Sequence, residues 1–189
     1  MSLYMTKRAL FLDRDGIINK DYGYVIDASE FVFCEGIFEL VKEANQLGLL
    51  VIVVTNQSGI ARGYYSEEQF LLLSDWMKSQ FARQQAIIND VFYCPHHPTH
   101  GDSEYTRICD CRKPETGMFI SAKKKYAIDL STSIMVGDKN SDMKAGLNAG
   151  IKNNYWLDHS STIKSMNIVN SNNASIKIIQ SLAEVVLSN

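Results

Sequence analysis

Residues 8–16, RALFLDRDG, change abruptly from apolar to acidic. Their apolar run, Ala9–Leu12, is short and continuous, which is typical of a buried strand. Asp13, Asp15 and a glycine follow at once, so the strand should run into a polar loop. This stretch therefore predicts a buried strand with two carboxylates just beyond its carboxyl end.

Apolar runs and helical patterns alternate along the rest of the chain. Further strands are predicted at residues 49–54, 88–94, 133–138 and 153–158, the last as an edge strand. Helices are predicted at residues 36–48, from Ser66 onward, at 116–129, at 140–150 and, as an amphipathic closing helix, at 175–189, with a surface loop at 165–175. This alternation is typical of an α/β fold. We expect one Rossmann-like domain over residues 1–189, with a mainly parallel sheet flanked by helices.

Two of these helices have recognisable ends. Ser66 and Gln69 have the spacing of a capping box, and Gly48 and Gly150 are natural helix stops. The apolar stripe of the first helix is expected to contain Ile37, Leu40, Val41, Ala44 and Leu47, and that of the second Phe70, Leu73, Met77 and Phe81.

Polar residues follow three of the predicted strands at the point where each strand ends. These residues are Asp13, Thr55 and Asp138. In parallel α/β sheets, ligands bind beyond the carboxyl ends of the strands. The sequence therefore predicts a functional site at this edge.

The overall charge and hydropathy exclude some classes of partner. The net charge is −2 and the sequence pI is about 6.1, so there is no basic excess to support non-specific nucleic-acid binding. No apolar run reaches the roughly 18 residues of a membrane span. The first eleven residues do not resemble an export signal. We therefore expect a cytoplasmic protein with reduced thiols, bound to neither membrane nor nucleic acid.

The paired carboxylates suggest magnesium chemistry. Asp13 and Asp15 would repel each other on one turn unless a cation such as Mg²⁺ lay between them. The first could attack an electrophile, and the second could transfer protons to and from a leaving oxygen. Asp138 offers a further carboxylate, and Thr55 and Lys113 could hold phosphate oxygens. An isolated D-x-D turn would more simply be a solvated acidic turn.

In this order, FLDRDG, VVTNQSG, Lys113 and VGDKNSD resemble the four motifs of the haloacid dehalogenase superfamily of phosphatases. The resemblance implies that Asp13 is the nucleophile, Asp15 the general acid and base, and Thr55 and Lys113 the groups that stabilise the phosphoryl group. It places Mg²⁺ on Asp13, the backbone carbonyl of Asp15, and Asp138. Asp142 would orient Lys113 or a metal-bound water, although it could simply begin its helix.

The loop at residues 93–114, YCPHHPTHGDSEYTRICDCRKP, is rich in cysteine and histidine. Three thiols and one imidazole suit Zn²⁺, and four ligands would leave no open position, so the site would be structural. The expected ligands are Cys94, His96, Cys109 and Cys111, with His97 as an alternative to His96. His100 is expected at the surface, and Cys34 is expected to be a small, partly buried side chain.

Inside this framework, CPHHP…CDCRKP resembles the branch that contains heptose bisphosphatases and histidinol phosphatases. The spacing between motifs leaves no room for a large cap domain, so we expect an open site shaped by loops. The loops DRDGIINKDYGYV and TNQSGIARGYYSEEQF resemble those of the heptose bisphosphatases. This resemblance implies that the substrate is held by Asp21, Tyr22, Gly23, Tyr24, Asn56, Gln57, Ser58, Arg112 and Lys139.

The expected function is magnesium-dependent hydrolysis of a small sugar bisphosphate, in a pathway to bacterial surface polysaccharide, by a monomer. A histidinol-phosphate phosphatase is the close alternative. Two alternatives from other classes are a non-enzymatic phospho-acceptor and a zinc-binding module. The phospho-acceptor would need a separate phosphorylated aspartate one strand after the acid pair, and the strand that ends in VTNQ does not supply one. A zinc-binding module would not explain Asp13, Asp15 and Asp138.

Overall fold

Six parallel strands and one antiparallel strand form a single sheet within the described residues of the computed structural model, which are 6–101, 104–160, 167–169 and 173–188. The strands are β1 (Ala9–Leu12), β2 (Leu50–Asn56), β3 (Asp90–Cys94), β4 (Ile134–Gly137), β5 (Asn153–Leu157), β6 (Asn167–Val169) and β7 (Ser175–Ile179). Their order across the sheet is β3-β2-β1-β4-β5-β7-β6, and only β6 runs antiparallel to its neighbour. The predicted α/β class and its mainly parallel sheet are confirmed.

Helices cover both faces of this sheet. They are α1 (Ile37–Gln46), α2 (Ser58–Ala61), α3 (Glu67–Arg83), α4 (Gly117–Tyr126) and α5 (Asn140–Ala149), with 3₁₀ turns at Leu130–Thr132 and Leu182–Glu184. No helix in the described part of the chain has the length and apolar character needed to span a bilayer.

The alternation of side chains along β1 divides the core in two. Leu10 and Leu12 are completely buried in a cluster with apolar residues of α1 and with Leu73, Met77 and Phe81 of α3. Ala9 and Phe11 are completely buried on the other face, in a cluster with α4 and α5. A strand covered on both faces must be apolar at every position, which explains the continuous run in the sequence.

The predicted start of α3 and the predicted end of α5 are confirmed, whereas α4 ends at Tyr126, before the expected position 129. Ser66 Oγ accepts from the backbone N–H of Gln69 at 3.1 Å, and Gln69 Oε1 accepts from the N–H of Ser66 at 2.8 Å, which closes the capping box of α3. Gly150 ends α5 in the left-handed conformation. One residue of the expected α1 stripe is wrong: Leu47 follows the last helical residue and is 49% exposed.

The predictions for the C-terminal region were partly wrong. Residues 175–179 form β7 instead of a helix, and β7 pairs with β5, so β5 is not an edge strand. The β-branched isoleucines of SIKII favour a strand, and the neighbouring strands supply partners that a sequence reading does not reveal. Residues 167–169 of the predicted loop form β6; the loop's residues 165, 166 and 170–172 lie outside the described residues.

The described loops at the carboxyl edge of the sheet leave it without a large cap. Residues 13–36 contain only turns, bends and isolated bridges, and α2 is the only helix between β2 and α3. β1 lies between β2 and β4, so the ends of these three strands bring Asp13, Thr55 and Asp138 to one edge.

Candidate active site

Lys113 lies at the centre of the polar edge. Its ammonium Nζ is 2.9 Å from Oδ1 of Asp13 and 2.7 Å from Oδ1 of Asp142, and it donates to the carbonyl of Val54 at 2.7 Å. Only 3% of the residue is exposed. Burial lowers the pKa of Lys113, but the charges of Asp13 and Asp142 outweigh burial and raise that pKa above its usual range. The lysine is therefore held in its cationic form.

Asp13, Asp138 and Asp142 bring carboxylate oxygens within 4.8 Å of one another. Burial raises the pKa of Asp13 to about 6; Lys113 opposes that rise, and the charges of Asp142 and Asp15 add to it. Burial also raises the pKa of Asp138 to about 7, with the charge of Asp13 adding to the effect. Such repulsion between buried carboxylates is relieved by a cation.

Asp138 is oriented for an additional ligand. Its Oδ1 is buried and has no hydrogen-bond partner among the described residues, whereas its backbone carbonyl accepts from the indole N–H of Trp156 at 3.0 Å. A buried carboxylate oxygen without a partner is unfavourable unless something binds it. Together with Asp13, this oxygen offers the hard anionic donors that Mg²⁺ prefers.

Gly16 allows the acidic loop to approach Asp138. The glycine has a φ of +96°, and a Cβ there would lie 2.1 Å from Oδ2 of Asp138. Any larger residue would displace the loop or the carboxylate. The motif reading assigned no role to Gly16, although a glycine directly after D-R-D is a visible sign of a tight turn.

Asp15 is held by three neighbouring side chains. Its Oδ1 accepts from Nε and Nη2 of Arg14 at 3.1 and 2.7 Å, and from Nδ2 of Asn19 at 3.1 Å. Its Oδ2 accepts from Nε2 of Gln57 at 3.1 Å. Arg14 is only 2% exposed and also donates to the carbonyl of Val25 at 2.8 Å. The sequence reading missed Arg14 and Asn19, because nothing in a single sequence tells a buried arginine from a surface one.

The residues at the carboxyl end of β2 and the start of α2 divide between the protein interior and the pocket. Thr55 is buried and its Oγ1 accepts from Gln57 Nε2 at 2.8 Å. The side-chain amide of Asn56 bonds to the backbone of Lys113. Ser58 begins α2 and faces the pocket.

A pocket of about 350 Å³ opens beside these groups. On one wall Lys139 Nζ donates to Oδ2 of Asp21 at 2.9 Å, and the N–H of Gly23 donates to the other carboxylate oxygen of Asp21 at 3.0 Å. Tyr24 also lines the pocket, while Tyr22 is 63% exposed and is not among the lining residues. The remaining lining residues are Asp15, Asn56, Gln57, Ser58, Tyr65, Arg112, Lys113 and Ser141.

The Cys/His loop forms a compact cluster of the four expected side chains, Cys94, His96, Cys109 and Cys111. The sulfur of Cys111 lies 2.9 Å from that of Cys94, 3.4 Å from that of Cys109 and 3.2 Å from Nδ1 of His96. The hydrogen bond with Cys94 lowers the pKa of Cys111 to about 5. Three sulfurs and one imidazole within bonding reach of one point fit a closed, four-coordinate Zn²⁺ site.

The other histidines of the loop lie outside this cluster. His97 Nδ1 accepts from the backbone N–H groups of Thr99 and His100, at 3.2 and 3.0 Å. The structure therefore brings His96, and not His97, together with the three cysteines. Cys34 is half-buried, 3.8 Å from the carbonyl of Gly16, and burial raises the pKa of its thiol to about 11.

The Cys/His cluster leads directly into the basic pair. Arg112 follows Cys111 in the chain and donates through Nη1 to the carbonyl of His96 at 3.1 Å. Glu67, in the first turn of α3, accepts from the hydroxyls of Tyr93 and Tyr105 at 2.6 and 2.7 Å, which joins the loop to β3 and α3. The loop is therefore held at its cluster and also, through Tyr105, at the start of α3.

Comparison with known proteins reveals close relatives. A family model described as HAD-hydrolase-like matches residues 110–155. The chain is 54% identical over 147 residues to a D-glycero-alpha-D-manno-heptose-1,7-bisphosphate 7-phosphatase from Burkholderia mallei, which covers 78% of each chain. The chain belongs to the heptose-1,7-bisphosphate 7-phosphatase family. A second family member, the beta-heptose phosphatase of Vibrio cholerae, is 51% identical over 78% of this chain and 79% of its own.

Solved structures agree with this family assignment. A D,D-heptose 1,7-bisphosphate phosphatase from B. bronchiseptica, complexed with magnesium and phosphate, is 30% identical with a TM-score of 0.69, covering 79% of this chain and 80% of its own. A HAD-like protein from Mesorhizobium loti has a TM-score of 0.85 at 34% identity, covering 95% of this chain and 82% of its own. The haloacid dehalogenase-type fold expected from the motifs is confirmed.

Proposed function

We propose that the chain is a Mg²⁺-dependent phosphatase that removes the C7 phosphate of D-glycero-D-manno-heptose 1,7-bisphosphate and releases heptose 1-phosphate. The observation that carries this proposal is the position of Lys113 between Asp13 and Asp142, whose carboxylate oxygens lie within 4.8 Å of a carboxylate oxygen of Asp138. A carboxylate attacks a phosphate dianion poorly unless nearby cations neutralise the charge. Membership of the heptose-1,7-bisphosphate 7-phosphatase family supports this choice of substrate.

The metal would be held by Asp13, Asp138 and the backbone carbonyl of Asp15. When bound, Mg²⁺ supplies charge neutralisation for the transferring phosphoryl group. Asp142 is occupied differently, because its Oδ1 pairs with Lys113 and its Oδ2 accepts from the N–H of Lys139 at 2.9 Å. These contacts support its expected role of orienting Lys113.

In the first step a carboxylate oxygen of Asp13 attacks the phosphorus at C7. The bond from phosphorus to the sugar oxygen breaks, and that oxygen takes a proton from Asp15, which produces heptose 1-phosphate and a phospho-aspartate. Lys113 and the hydroxyl of Thr55 stabilise the phosphoryl oxygens. The raised pKa of Lys113 keeps its ammonium charged throughout.

In the second step Asp15 removes a proton from a water molecule, whose oxygen attacks the phosphorus. The bond between phosphorus and Asp13 breaks, which releases inorganic phosphate and restores the nucleophile. Asp15 is protonated again and ready for the next cycle.

The pocket would recognise the rest of the sugar. Arg112 offers a planar fork suited to a phosphate, and Lys139 with Asp21 offers a paired donor and acceptor for hydroxyls. Gly23, Tyr24 and Ser58 complete the proposed wall, with Tyr22 at its exposed rim.

Zn²⁺ would be structural in this enzyme. Bound by the four Cys/His residues, it would fix the loop that ends in Arg112 and Lys113. We further propose that residues 1–189 form one domain that acts as a monomer in the cytoplasm. Its product would enter the synthesis of activated heptose for bacterial surface polysaccharide.

The decisive experiment compares phosphate release from the two anomers of heptose 1,7-bisphosphate and from histidinol phosphate, at matched concentrations with Mg²⁺. We expect a strong preference for a heptose substrate and loss of turnover in Asp13→Asn. Preference for histidinol phosphate would reject the proposed substrate. Turnover that survives Asp13→Asn would reject the proposed nucleophile.

A further inference from the structure

Gln57 is almost completely buried, and both ends of its side-chain amide have partners. Nε2 donates to Oδ2 of Asp15 at 3.1 Å and to Oγ1 of Thr55 at 2.8 Å. Oε1 accepts from the hydroxyl of Tyr65 at 2.6 Å. Only 1% of the residue is exposed. The amide thus connects the acid/base carboxylate to a tyrosine on the opposite side.

Tyr65 determines which way this amide points. The two ends of an amide have nearly the same shape, and only their hydrogen-bond partners distinguish them. Burial raises the pKa of Tyr65 to about 12, so its hydroxyl stays protonated and able to donate. A Cβ on Gly59 would lie 2.2 Å from the Tyr65 ring, so the glycine makes room for the tyrosine. A reversed amide would turn its carbonyl towards Asp15, which is unfavourable.

The two oxygens of Asp15 have different surroundings. Oδ1 accepts three hydrogen bonds from Arg14 and Asn19, whereas Oδ2 accepts one, from Gln57, among the described contacts. A carboxylate oxygen that already accepts three hydrogen bonds is a poor place for a proton. Oδ2 is therefore the oxygen with room to carry the proton that the reaction moves.

We propose that Gln57 is a positioning residue for proton transfer: its amide, oriented by Tyr65, aims Oδ2 of Asp15 at the leaving sugar oxygen and then at the attacking water. This inference rests on the proposed phosphatase function and deepens it. It differs from the expectation, drawn from family resemblance, that Gln57 binds the substrate. A substrate contact would affect KM, whereas a misplaced acid/base group affects kcat.

Two variants test the proposal on two substrates. Gln57→Met keeps the length of the side chain and removes its hydrogen bonds, and Tyr65→Phe removes only the hydroxyl that orients the amide. The substrates are heptose 1,7-bisphosphate, whose alkoxide needs a proton to leave, and p-nitrophenyl phosphate, whose phenolate leaves without one. Tyr155→Phe is the matched control, because Tyr155 is similarly buried and its hydroxyl bonds to the backbone of Val186, away from the site.

On the sugar substrate we expect kcat to fall about 10- to 100-fold in Gln57→Met, with KM changed less than about twofold. The fall should be smaller than the roughly 100- to 10,000-fold that general acid–base catalysis contributes, because Asp15 itself is still present. We expect a smaller fall in the same direction for Tyr65→Phe. On p-nitrophenyl phosphate the first equivalent of nitrophenol should appear near the wild-type rate. Slow steady-state release should follow, because attack of water on the phospho-aspartate still needs Asp15.

Two outcomes would overturn the proposal. A raised KM with unchanged kcat would make Gln57 a substrate contact. An equal loss of the first turnover and the steady state on p-nitrophenyl phosphate would mean that Gln57 supports Thr55 or Asp13 instead. If wild type hydrolyses the aryl phosphate but not the heptose, the proposed substrate fails, and the comparison of the first turnover with the steady state on the aryl phosphate then decides the role of Gln57.

Discussion

The side-chain amide of Asn56 bonds to both backbone groups of Lys113. Nδ2 donates to the carbonyl of Lys113 at 3.0 Å, and Oδ1 accepts from its N–H at 3.0 Å. The two residues are 57 positions apart in the chain. The last residue of β2 therefore holds the backbone of the lysine that faces the nucleophile, which is a more specific role than the expected contact with substrate.

Asn56→Ala should lower both stability and turnover. The change leaves the N–H and carbonyl of Lys113 without these partners, which costs about 1–3 kcal/mol, and displacement of the ammonium by an ångström can reduce kcat about 100-fold. Denaturant unfolding and steady-state kinetics measure the two effects.

Asn45→Ala is the matched control for this prediction. Asn45 makes the same pair of bonds to the backbone of Ile87, at 3.1 and 2.7 Å, and lies on α1, outside the residues that line the pocket. It should lose stability and keep its kcat. Equal turnover in Asn56→Ala and wild type would contradict the role given to Asn56.

The parts of the molecule that depend on local sequence were predictable. The continuous apolar run of β1, the Ser66 capping box and the polar residues at the carboxyl ends of β1, β2 and β4 are encoded within a few positions. The Cys₃His cluster was predictable for a different reason: three thiols and an imidazole this close together in the sequence are typical of a metal site.

The roles of Asn56 and Gln57 were not predictable in this way. Whether an amide faces substrate or protein depends on partners such as Lys113 and Tyr65, which the fold supplies. The strand β7 was missed for the same physical reason, because its stability comes from pairing with β5 and β6. A short isoleucine-rich segment is ambiguous until its neighbours are known.

Gly16→Ala should impair the metal site more than the fold. Left-handed φ disfavours alanine by about 1–2 kcal/mol, and the added methyl would also clash with Oδ2 of Asp138. We expect weaker Mg²⁺ activation and a loss of kcat on the order of 100-fold. Gly150→Ala separates the two effects, because Gly150 has a φ of +88° and no atom lies within 4 Å of the added Cβ. Similar turnover in the two variants would argue against the clash.

Cys109→Ser should release the metal of the Cys/His loop. The cluster loses one of four ligands, so zinc content should fall from about one ion per chain towards zero. Arg112 and Lys113 follow the cluster, so kcat should also fall about 10- to 100-fold, and added Mg²⁺ should not restore it. Elemental analysis and kinetics measure both. Cys34→Ser also removes one thiol but lies outside the cluster, and it should retain zinc. Full activity in a zinc-free Cys109→Ser protein would refute the positioning role of the loop.

The buried carboxylates predict a stability that falls as pH rises in magnesium-free protein. Folding raises the pKa of Asp13 from 3.8 to about 6 and that of Asp138 from 3.8 to about 7. Between pH 3.8 and these raised pKa values the folded state binds more protons than the unfolded state, so the free energy of unfolding should decrease from about pH 4 to pH 7. Mg²⁺ binds the ionised carboxylates and should restore stability, most strongly at the upper end.

Asp138→Asn tests whether the buried carboxylates cause this pH dependence, because it removes the charge of one of them and keeps the shape of the side chain. Denaturant unfolding at pH 5, 6, 7 and 8, without chelator so that the Cys/His cluster is undisturbed, should show a smaller decrease with pH than in wild type. The variant should be the more stable protein at pH 8 without Mg²⁺ and should gain little from its addition. Asp27→Asn, a fully exposed carboxyl outside the pocket, should keep the full Mg²⁺ response. An unfolding free energy that rises between pH 5 and 7 in magnesium-free wild type would mean that folding does not raise the pKa values of Asp13 and Asp138.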